Sequence, residues 1–240
     1  MKIVILTALG VGGATVFGAL IGFIFKKISH KFSDIILSFG AGVMLSASIL
    51  GLILPSLDYS EKHGAIITVF GIIIGAVCID LIEKLIPHTD KITNAENNNI
   101  KKVMLFVLAI AIHNLPEGIA AGVGFGTGDI SSAIMIAVGI ALQNIPEGMV
   151  IIGPMLSVGI SPRRTLFYAM LTGLIEIIGT FIGYFAVNVS GRILPIALSF
   201  AGGTMLYVIS HEMIPETHSH GSEKGATYAL LIGFCLMLLL

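Results

Sequence analysis

The chain has 240 residues, of which 55% are hydrophobic and 11% charged, with a mean hydropathy of +1.00 and a net charge of −1. A soluble domain carries roughly a quarter charged residues, so this composition indicates a membrane protein and excludes an ordinary soluble domain. No basic patch suggests a nucleic-acid partner.

Apolar runs long enough to cross a bilayer follow one another along the chain. Crossing about 30 Å of hydrocarbon takes about 20 mostly apolar residues. Because the runs are continuously apolar rather than alternating, they predict helices and not the strands of a membrane barrel. We predict one all-α transmembrane domain over 1–240 with eight transmembrane helices in a 3+2+3 arrangement. The runs lie near 2–25, 33–56, 64–86, 102–124, 130–156, 164–188, 192–214 and 225–240.

Positively charged residues are concentrated on one side of this topology. The loops that follow the odd-numbered helices hold ten lysines and arginines, whereas the opposite side holds only Lys2, Lys62 and Arg192. Since such residues are retained on the cytoplasmic side, we expect both termini to lie outside. We also expect a polar, Asn-rich cytoplasmic loop over 87–101, between the third and fourth helices.

One six-residue pattern occurs twice inside apolar runs. HNLPEG begins at His113 and QNIPEG begins at Gln143. The two copies start thirty residues apart, which accommodates a helix, a short turn and the next helix, so the copies are expected on antiparallel neighbours at one depth. Such a doubled set of polar residues at mid-membrane is costly and usually functional.

Each copy of the pattern places a glutamate beside two further ligands. Residues three or four apart share a helix face, so Glu117 neighbours both His113 and Asn114. The corresponding residues of the second copy are Gln143, Asn144 and Glu147. A carboxylate flanked by ligands on two sides, with two oxygens to offer, can bridge two metal ions. Two kinked helices whose buried polar residues satisfy one another are the alternative.

The prolines of the pattern loosen each helix beside its ligands. Pro116 and Pro146 cannot donate the backbone hydrogen bond that a helix interior requires. Freed carbonyls at mid-membrane are tolerated where they line a cavity. We therefore expect a cavity beside both copies.

Two further residues are expected in the same cavity. Glu176 has no charged neighbour within ten residues on either side, so it needs a cation or a proton. Met44 is the candidate soft sulfur ligand on a glycine- and serine-rich helix, although such a methionine can equally be a packing residue.

Two polar clusters flank the proposed cavity. At the cytoplasmic end of the seventh helix, His211, Glu212 and Glu216 are interpreted as an exit or relay for metal, with a solvated loop as the alternative. On the outer side, Asp58, Glu61 and His63 are interpreted as an entrance.

HNLPEG followed by QNIPEG, on adjacent helices of an eight-helix protein, resembles the ZIP (Zrt/Irt-like) metal transporters, and most closely their compact prokaryotic members. The resemblance covers essentially the whole chain. It implies a multi-pass protein of the cell membrane that takes up divalent metal into the cytoplasm through a binuclear site between helices four and five.

The resemblance also implies two sets of metal ligands. One ion would be bound by residues matching Met44, His113, Glu117, Gln143 and Glu147. The second would be bound by residues matching Asn114, Glu117, Asn144, Glu147 and Glu176. Some members carry Asp where this chain has Asn144, and the loop between helices three and four has His88 as its only histidine instead of a histidine-rich stretch.

The chemistry of these ligands agrees with transport of several metals. Imidazole, thioether and carboxylate suit Zn²⁺, Cd²⁺ or Fe²⁺, whereas an all-oxygen set suits harder ions such as Mn²⁺. The metal is the transported substrate, so no prosthetic group is expected. There is no GxxxxGK[ST] loop, so ATP is not expected to drive transport directly.

Two other function classes stay open at this stage. A binuclear intramembrane metallohydrolase could use the same carboxylates, and a non-transporting metal sensor could bind the same ions. We expect no enzyme, because the ligands fill both coordination shells. The partners are divalent metal ions and the lipid bilayer. GxxxG pairs at Gly18/Gly22, Gly71/Gly75 and Gly179/Gly183 allow close helix packing, and they leave a homodimer open.

Overall fold

A computed structural model describes residues 1–25, 29–59, 64–84, 95–189 and 193–239, and within these ranges the chain forms helices and no strand. The all-α prediction is confirmed. The helices are α1 Lys2–Ile24, α2 His30–Tyr59, α3 Gly64–Lys84, α4 Ala95–Gly124, α5 Ile130–Ser157, α6 Pro162–Val189, α7 Leu194–Thr217 and α8 Glu223–Leu238.

Seven of these helices are long and apolar enough to cross a membrane. The eighth, α8, has 16 residues, which is slightly shorter than the roughly 17 to 25 residues of a typical span. The polytopic membrane architecture is therefore confirmed, whereas the eighth crossing, the 3+2+3 arrangement and the outside position of both termini stay predictions.

The predicted loop over 87–101 is wrong in its last part. Helix α4 begins at Ala95, so residues 95–101 are helical rather than part of a loop. The strongly apolar part of α4 starts only at Asn99. The first turn of α4 therefore extends beyond the apolar span. Residues 85–94, with His88, lie outside the described residues.

The helices pack as two groups of four. Helices α1, α4, α5 and α6 make their most extensive contacts with one another, and α2, α3, α7 and α8 form the second group. Helix α5 also contacts α2, which brings the second motif to the boundary between the groups. The site described below lies at this boundary.

The predicted GxxxG pairs serve packing between helices of this chain. A Cβ atom at Gly18 would collide with the Ile145 backbone, one at Gly75 with the Phe200 backbone, and one at Gly183 with the Ile119 backbone. The other glycine of each pair is similarly crowded. All three pairs therefore pack against other helices of the same chain.

Helices α2 and α7 each contain a π-helical segment that the sequence analysis missed. These segments are Ala47–Ile53 in α2 and Ile209–Met213 in α7. A π turn adds a residue to the helical turn and is common at functional sites. The first begins three residues after Met44, and the second contains His211 and Glu212.

Helix α3 presents apolar side chains outward. Ile66, Phe70 and Ile73 are spaced at one helix face and are each more than half exposed. An exposed apolar stripe of this kind fits contact with lipid. By contrast, α5 is among the most enclosed of the candidate spans, as a helix that holds buried polar ligands must be.

Candidate metal-binding site

The two motifs lie on α4 and α5, which a short turn connects. A 3₁₀ turn over Phe125–Thr127 follows α4, and Gly128 adopts a left-handed conformation with φ 76°. Asp129 then caps α5 by accepting a hydrogen bond from the Ser131 amide at 2.9 Å. Pro116 and Pro146 lie inside helices that continue past them. This connection places α4 and α5 side by side in antiparallel orientation, as the spacing of the motifs predicts.

All eight residues predicted for the central site are buried. Each exposes 8% of its surface or less. They are Met44, His113, Asn114, Glu117, Gln143, Asn144, Glu147 and Glu176. Three of them are glutamates, and a glutamate is almost never fully buried unless it is paired.

Several polar atoms of these residues have no hydrogen-bond partner. They are both carboxylate oxygens of Glu117, both amide atoms of Asn114 and of Gln143, and Oδ1 of Asn144. Glu117 and Gln143 lie close enough to interact with each other, but their separation or angle does not make a well-formed hydrogen bond. Most buried polar groups in proteins are hydrogen-bonded, and an unsatisfied one costs about 1–3 kcal/mol. Five of these atoms are oxygens from α4 and α5, so the two helices present ligands that a cation would satisfy.

Glu176, on α6, differs from Glu117 because both of its carboxylate oxygens accept hydrogen bonds. Its Oε1 accepts a hydrogen bond from Thr15 Oγ1 at 2.9 Å, and its Oε2 accepts one from Asn144 Nδ2 at 2.8 Å. Asn144 Nδ2 also donates to the carbonyl oxygen of Val11 at 3.2 Å. The expected need of Glu176 for a cation or proton is thus met in part by an amide and a hydroxyl from α5 and α1.

The three central glutamates lie near one another. Glu117 interacts electrostatically with both Glu147 and Glu176, and Glu147 interacts with His113. Like charges in a medium of low dielectric constant repel strongly. Protons or cations must therefore accompany these acids, and a divalent ion between them would offset the repulsion directly.

Met44 reaches this region from the other helix group. It is 1% exposed, and Gly40, one turn earlier on α2, faces Gln143: a Cβ atom at Gly40 would lie 3.5 Å from Gln143 Cβ. Residues four apart share a helix face, so Met44 lies on the side of α2 that faces α5. A bulkier residue at Gly40 would push α2 away from Gln143.

A second cluster of ligands lies next to the first. His113 Nε2 is 2.9 Å from Glu212 Oε1 and 3.4 Å from Glu83 Oε1. One ligand atom from each of these three residues fits within a mutual distance of 4.8 Å, the only such group among the described histidines, cysteines and acids. Sequence reasoning predicted His113 and Glu212 but missed Glu83, whose one signal was an acid close to the end of an apolar helix.

A large cavity connects both clusters with the end of α7. It has a volume of about 580 Å³ and is lined by His113, Glu147, His211, Glu212 and Glu216, among other residues. The ring of His211 lies 5.0 Å from that of Tyr207. The three residues interpreted as an exit from the sequence thus line one cavity, which leads away from the central site.

A smaller cavity lies at the opposite side. It has a volume of about 290 Å³, and its lining includes Asp58, Asp129, Ser46 and Ile136. The Ser132 hydroxyl, together with backbone amides, holds the pKa of Asp129 below its usual value. Glu61 and His63, the other residues interpreted as an entrance, lie outside the described residues.

Apolar side chains separate the smaller cavity from the motif residues. Ile136 forms part of the cavity lining, and the completely buried Ile140 follows it one turn later on α5. Gln143 begins the next turn. Since a helical turn rises about 5.4 Å, roughly two turns of α5, with packed apolar residues, stand between this cavity and Gln143. The site is therefore open toward α7 and closed on the other side.

Comparison with known proteins finds zinc transporters among the sequences similar to this chain. The sequence profile of the ZIP zinc transporters matches residues 88–240. Zinc transporter GufA of Myxococcus xanthus is 36% identical over 238 residues, which cover 95% of this chain and 94% of that protein. Zinc transporter ZIPB of Bordetella bronchiseptica is 37% identical, with coverage of 95% and 76%. Zinc transporter ZIP11 of Homo sapiens is 29% identical, with coverage of 94% and 92%.

Proposed function

Because the chain belongs to the ZIP zinc transporter family, a family of multi-pass membrane transporters of divalent metal rather than enzymes, we propose that it carries Zn²⁺ into the cytoplasm through the buried site between α4 and α5. We include Cd²⁺, Fe²⁺ and Mn²⁺ as further substrates. The relatives are named zinc transporters, and a site of mixed N, O and S ligands binds these ions too.

The unpartnered polar atoms of Glu117, Asn114 and Gln143 carry this proposal. A packing role for the motifs would give each of these groups a well-formed hydrogen bond, as Asn144 and Glu176 have. Instead, Glu117 and Gln143 make only a poorly formed contact with each other, and both amide atoms of Asn114 have no partner. The cavity of about 580 Å³ reaches this site through His113 and Glu147, which line it, and would give a cation a way to and from the oxygens of the two facing helices.

We propose two overlapping binding positions. The softer one uses Met44, His113, Glu117, Gln143 and Glu147. The harder one uses Asn114, Glu117, Asn144, Glu147 and Glu176. Glu117 and Glu147 belong to both sets and would bridge the two ions. The three glutamates together carry a formal charge of −3. Binding one divalent ion changes the net charge of the site to −1, and binding two changes it to +1. Loading is then linked to protons, because metal ligands must be deprotonated.

The path runs from the outer cavity, past the apolar residues around Ile140, to the central site and then to the cavity at α7. Both termini would lie outside and α8 would complete eight crossings, so this larger cavity faces the cytoplasm. His211, Glu212 and Glu216 then form the exit, and Asp58 belongs to the entrance. Lys101 and Lys102 on α4 support this orientation, since basic residues are retained in the cytoplasm.

Uptake of ⁶⁵Zn²⁺ into proteoliposomes that contain the purified protein tests the proposal. We expect a time-dependent accumulation that unlabelled Zn²⁺ and Cd²⁺ compete away and that Glu117→Gln abolishes. Vesicles without protein, and vesicles with the exposed substitution Glu223→Gln, are the controls. Metal-dependent hydrolysis without Zn²⁺ flux would contradict the carrier and indicate a metallohydrolase. Tight Zn²⁺ binding without flux would indicate a sensor.

A further inference from the structure

A third cluster of metal-binding side chains lies apart from the transport site, at the start of α2. His220 Nδ1, in the segment between α7 and α8, is 3.1 Å from Asp34 Oδ1. The ring of His30 stacks on that of His220, with centroids 5.0 Å apart and an interplanar angle of 27°. Two imidazoles and a carboxylate therefore come together from positions far apart in the sequence.

Asp34 is unusual for a residue at the end of a membrane helix. It is 2% exposed, and its Oδ2 has no hydrogen-bond partner. Among the ion pairs of the described residues, Asp34 takes part only in the one with His220. A buried carboxylate with one oxygen unsatisfied is costly, so the observed contacts leave half of this group without a partner.

Two of the three side chains already stand at a separation that suits one metal ion, and the third would have to rotate. With metal–ligand distances of about 2.0–2.2 Å and tetrahedral angles, two ligand atoms of Zn²⁺ lie about 3.4 Å apart. The observed separation of 3.1 Å between His220 Nδ1 and Asp34 Oδ1 is close to this value. His30 is one helical turn before Asp34 and on the same face, so a rotation of its exposed side chain would bring a third ligand.

We propose that Asp34, His220 and His30 form a Zn²⁺ site at the rim of the large cavity, separate from the transport site. Ser219, whose hydroxyl lies 3.3 Å from His220 Nδ1, and Leu37, on the turn of α2 after Asp34, both line that cavity. The site would hold an ion at the mouth of the cavity and fasten the α7–α8 segment to α2. Binding there does not depend on transport through the membrane.

The test compares the number of Zn²⁺ ions bound per chain, measured by elemental analysis after equilibrium dialysis, in purified variants. Asp34→Asn keeps the shape of the side chain and its acceptor for His220 while removing the charge. We expect Asp34→Asn and His220→Gln each to lose one bound ion, or to weaken it at least tenfold. The matched control is His218→Gln, because His218 lies in the same segment but bonds to the Ile214 carbonyl oxygen and to Thr227.

Cobalt gives a second readout. Co²⁺ bound by two imidazoles and a carboxylate has a visible absorption band that should decrease in His30→Gln and His220→Gln, two exposed positions at which folding is not at risk. Uptake of ⁶⁵Zn²⁺ by these variants should stay within about twofold of the unmodified protein, which separates this site from the transport site. Unchanged Zn²⁺ stoichiometry in all three variants would reduce the cluster to a structural ion pair. An equal loss in His218→Gln would show that the bound ion depends on the whole segment between α7 and α8. The proposed ligands would then be wrong.

Discussion

The amide of Asn144 donates a hydrogen bond of 2.8 Å to Oε2 of Glu176. This contact joins α5 to α6 among the central buried residues, and it occupies a carboxylate oxygen that we propose as a ligand of the harder metal position. An aspartate at position 144, as in some ZIP members, could not donate in this way.

Asn144→Asp should therefore strengthen binding of the second ion. The substitution places a second carboxylate at hydrogen-bonding distance from Glu176, and two such groups repel unless a cation or proton lies between them. We expect the affinity for the second Zn²⁺ to rise by about tenfold, or about 1.4 kcal/mol, in isothermal titration calorimetry. Asn144→Ala removes the donor without adding charge and is the control; equal affinities in the two variants would contradict the role of the charge.

Glu117→Gln should have a larger effect than Glu176→Gln. Neither oxygen of Glu117 accepts a well-formed hydrogen bond, although Gln143 lies nearby, whereas both oxygens of Glu176 accept hydrogen bonds that a glutamine can partly retain. We expect Glu117→Gln to lose the second ion and to reduce uptake by at least tenfold. Glu176→Gln should still bind one ion. Metal stoichiometry and uptake are measured together, and two bound ions with ordinary flux in Glu117→Gln would refute the bridging role.

Gln143→Ala tests the division into softer and harder positions. Gln143 is proposed as a ligand of the softer position alone, whereas His113 also contacts Glu83 and Glu212, so Gln143 is the cleaner choice. Uptake of Zn²⁺ and Cd²⁺ should fall more than uptake of Mn²⁺, by about threefold or more in the ratio of rates. A uniform decrease for all three metals would argue against two distinct positions.

Glu83→Gln should slow release of metal toward the cytoplasm. Glu83 and Glu212 lie beside His113. We propose that they receive the ion from His113 before it enters the large cavity, which His113 and Glu212 line. We expect a lower maximal uptake rate, by about threefold to tenfold, with nearly unchanged affinity at the central site. Asp80→Asn is the neighbouring control, since Asp80 pairs with Lys84 and is bonded by Tyr207. If Glu83→Gln and Asp80→Asn had equal maximal uptake rates, Glu83 would have only a structural role.

Gly148→Ala should destabilise the protein. A Cβ atom at Gly148 would collide with the carbonyl oxygen of Thr15, and the backbone of α1 cannot move away without disturbing the contact of Thr15 with Glu176. Overpacking of this kind costs about 1–3 kcal/mol, and the midpoint of thermal unfolding should fall by several degrees. Gly153→Ala, on the same helix with no atom within 4 Å of the new Cβ, is the control. An equal midpoint in both variants would contradict this close packing.

The sequence was sufficient for the helices and for selecting the buried polar residues that come together between α4 and α5. Continuous apolar runs produce helices because no other element satisfies the backbone in lipid, and the observed bounds differ from the predicted ones by a few residues at most ends. The exception is α4, whose polar first turns carry no hydrophobic signal. His113, Glu117, Gln143 and Glu147 could be selected because a helix repeats its faces every three to four residues, so a local pattern already implies a shared face.

Tertiary packing decided what no local pattern encodes. Glu83 joins His113 and Glu212 because α3 and α7 end on the side at which α4 begins, and Asp34 meets His220 across 186 positions of the sequence. The pairing of Asn144 with Glu176, and the opening of the site toward α7, likewise depend on how separate helices are placed. Helix periodicity reports which residues share a face of one helix, but contacts between helices depend on the close approach that residues such as Gly18 and Gly148 allow.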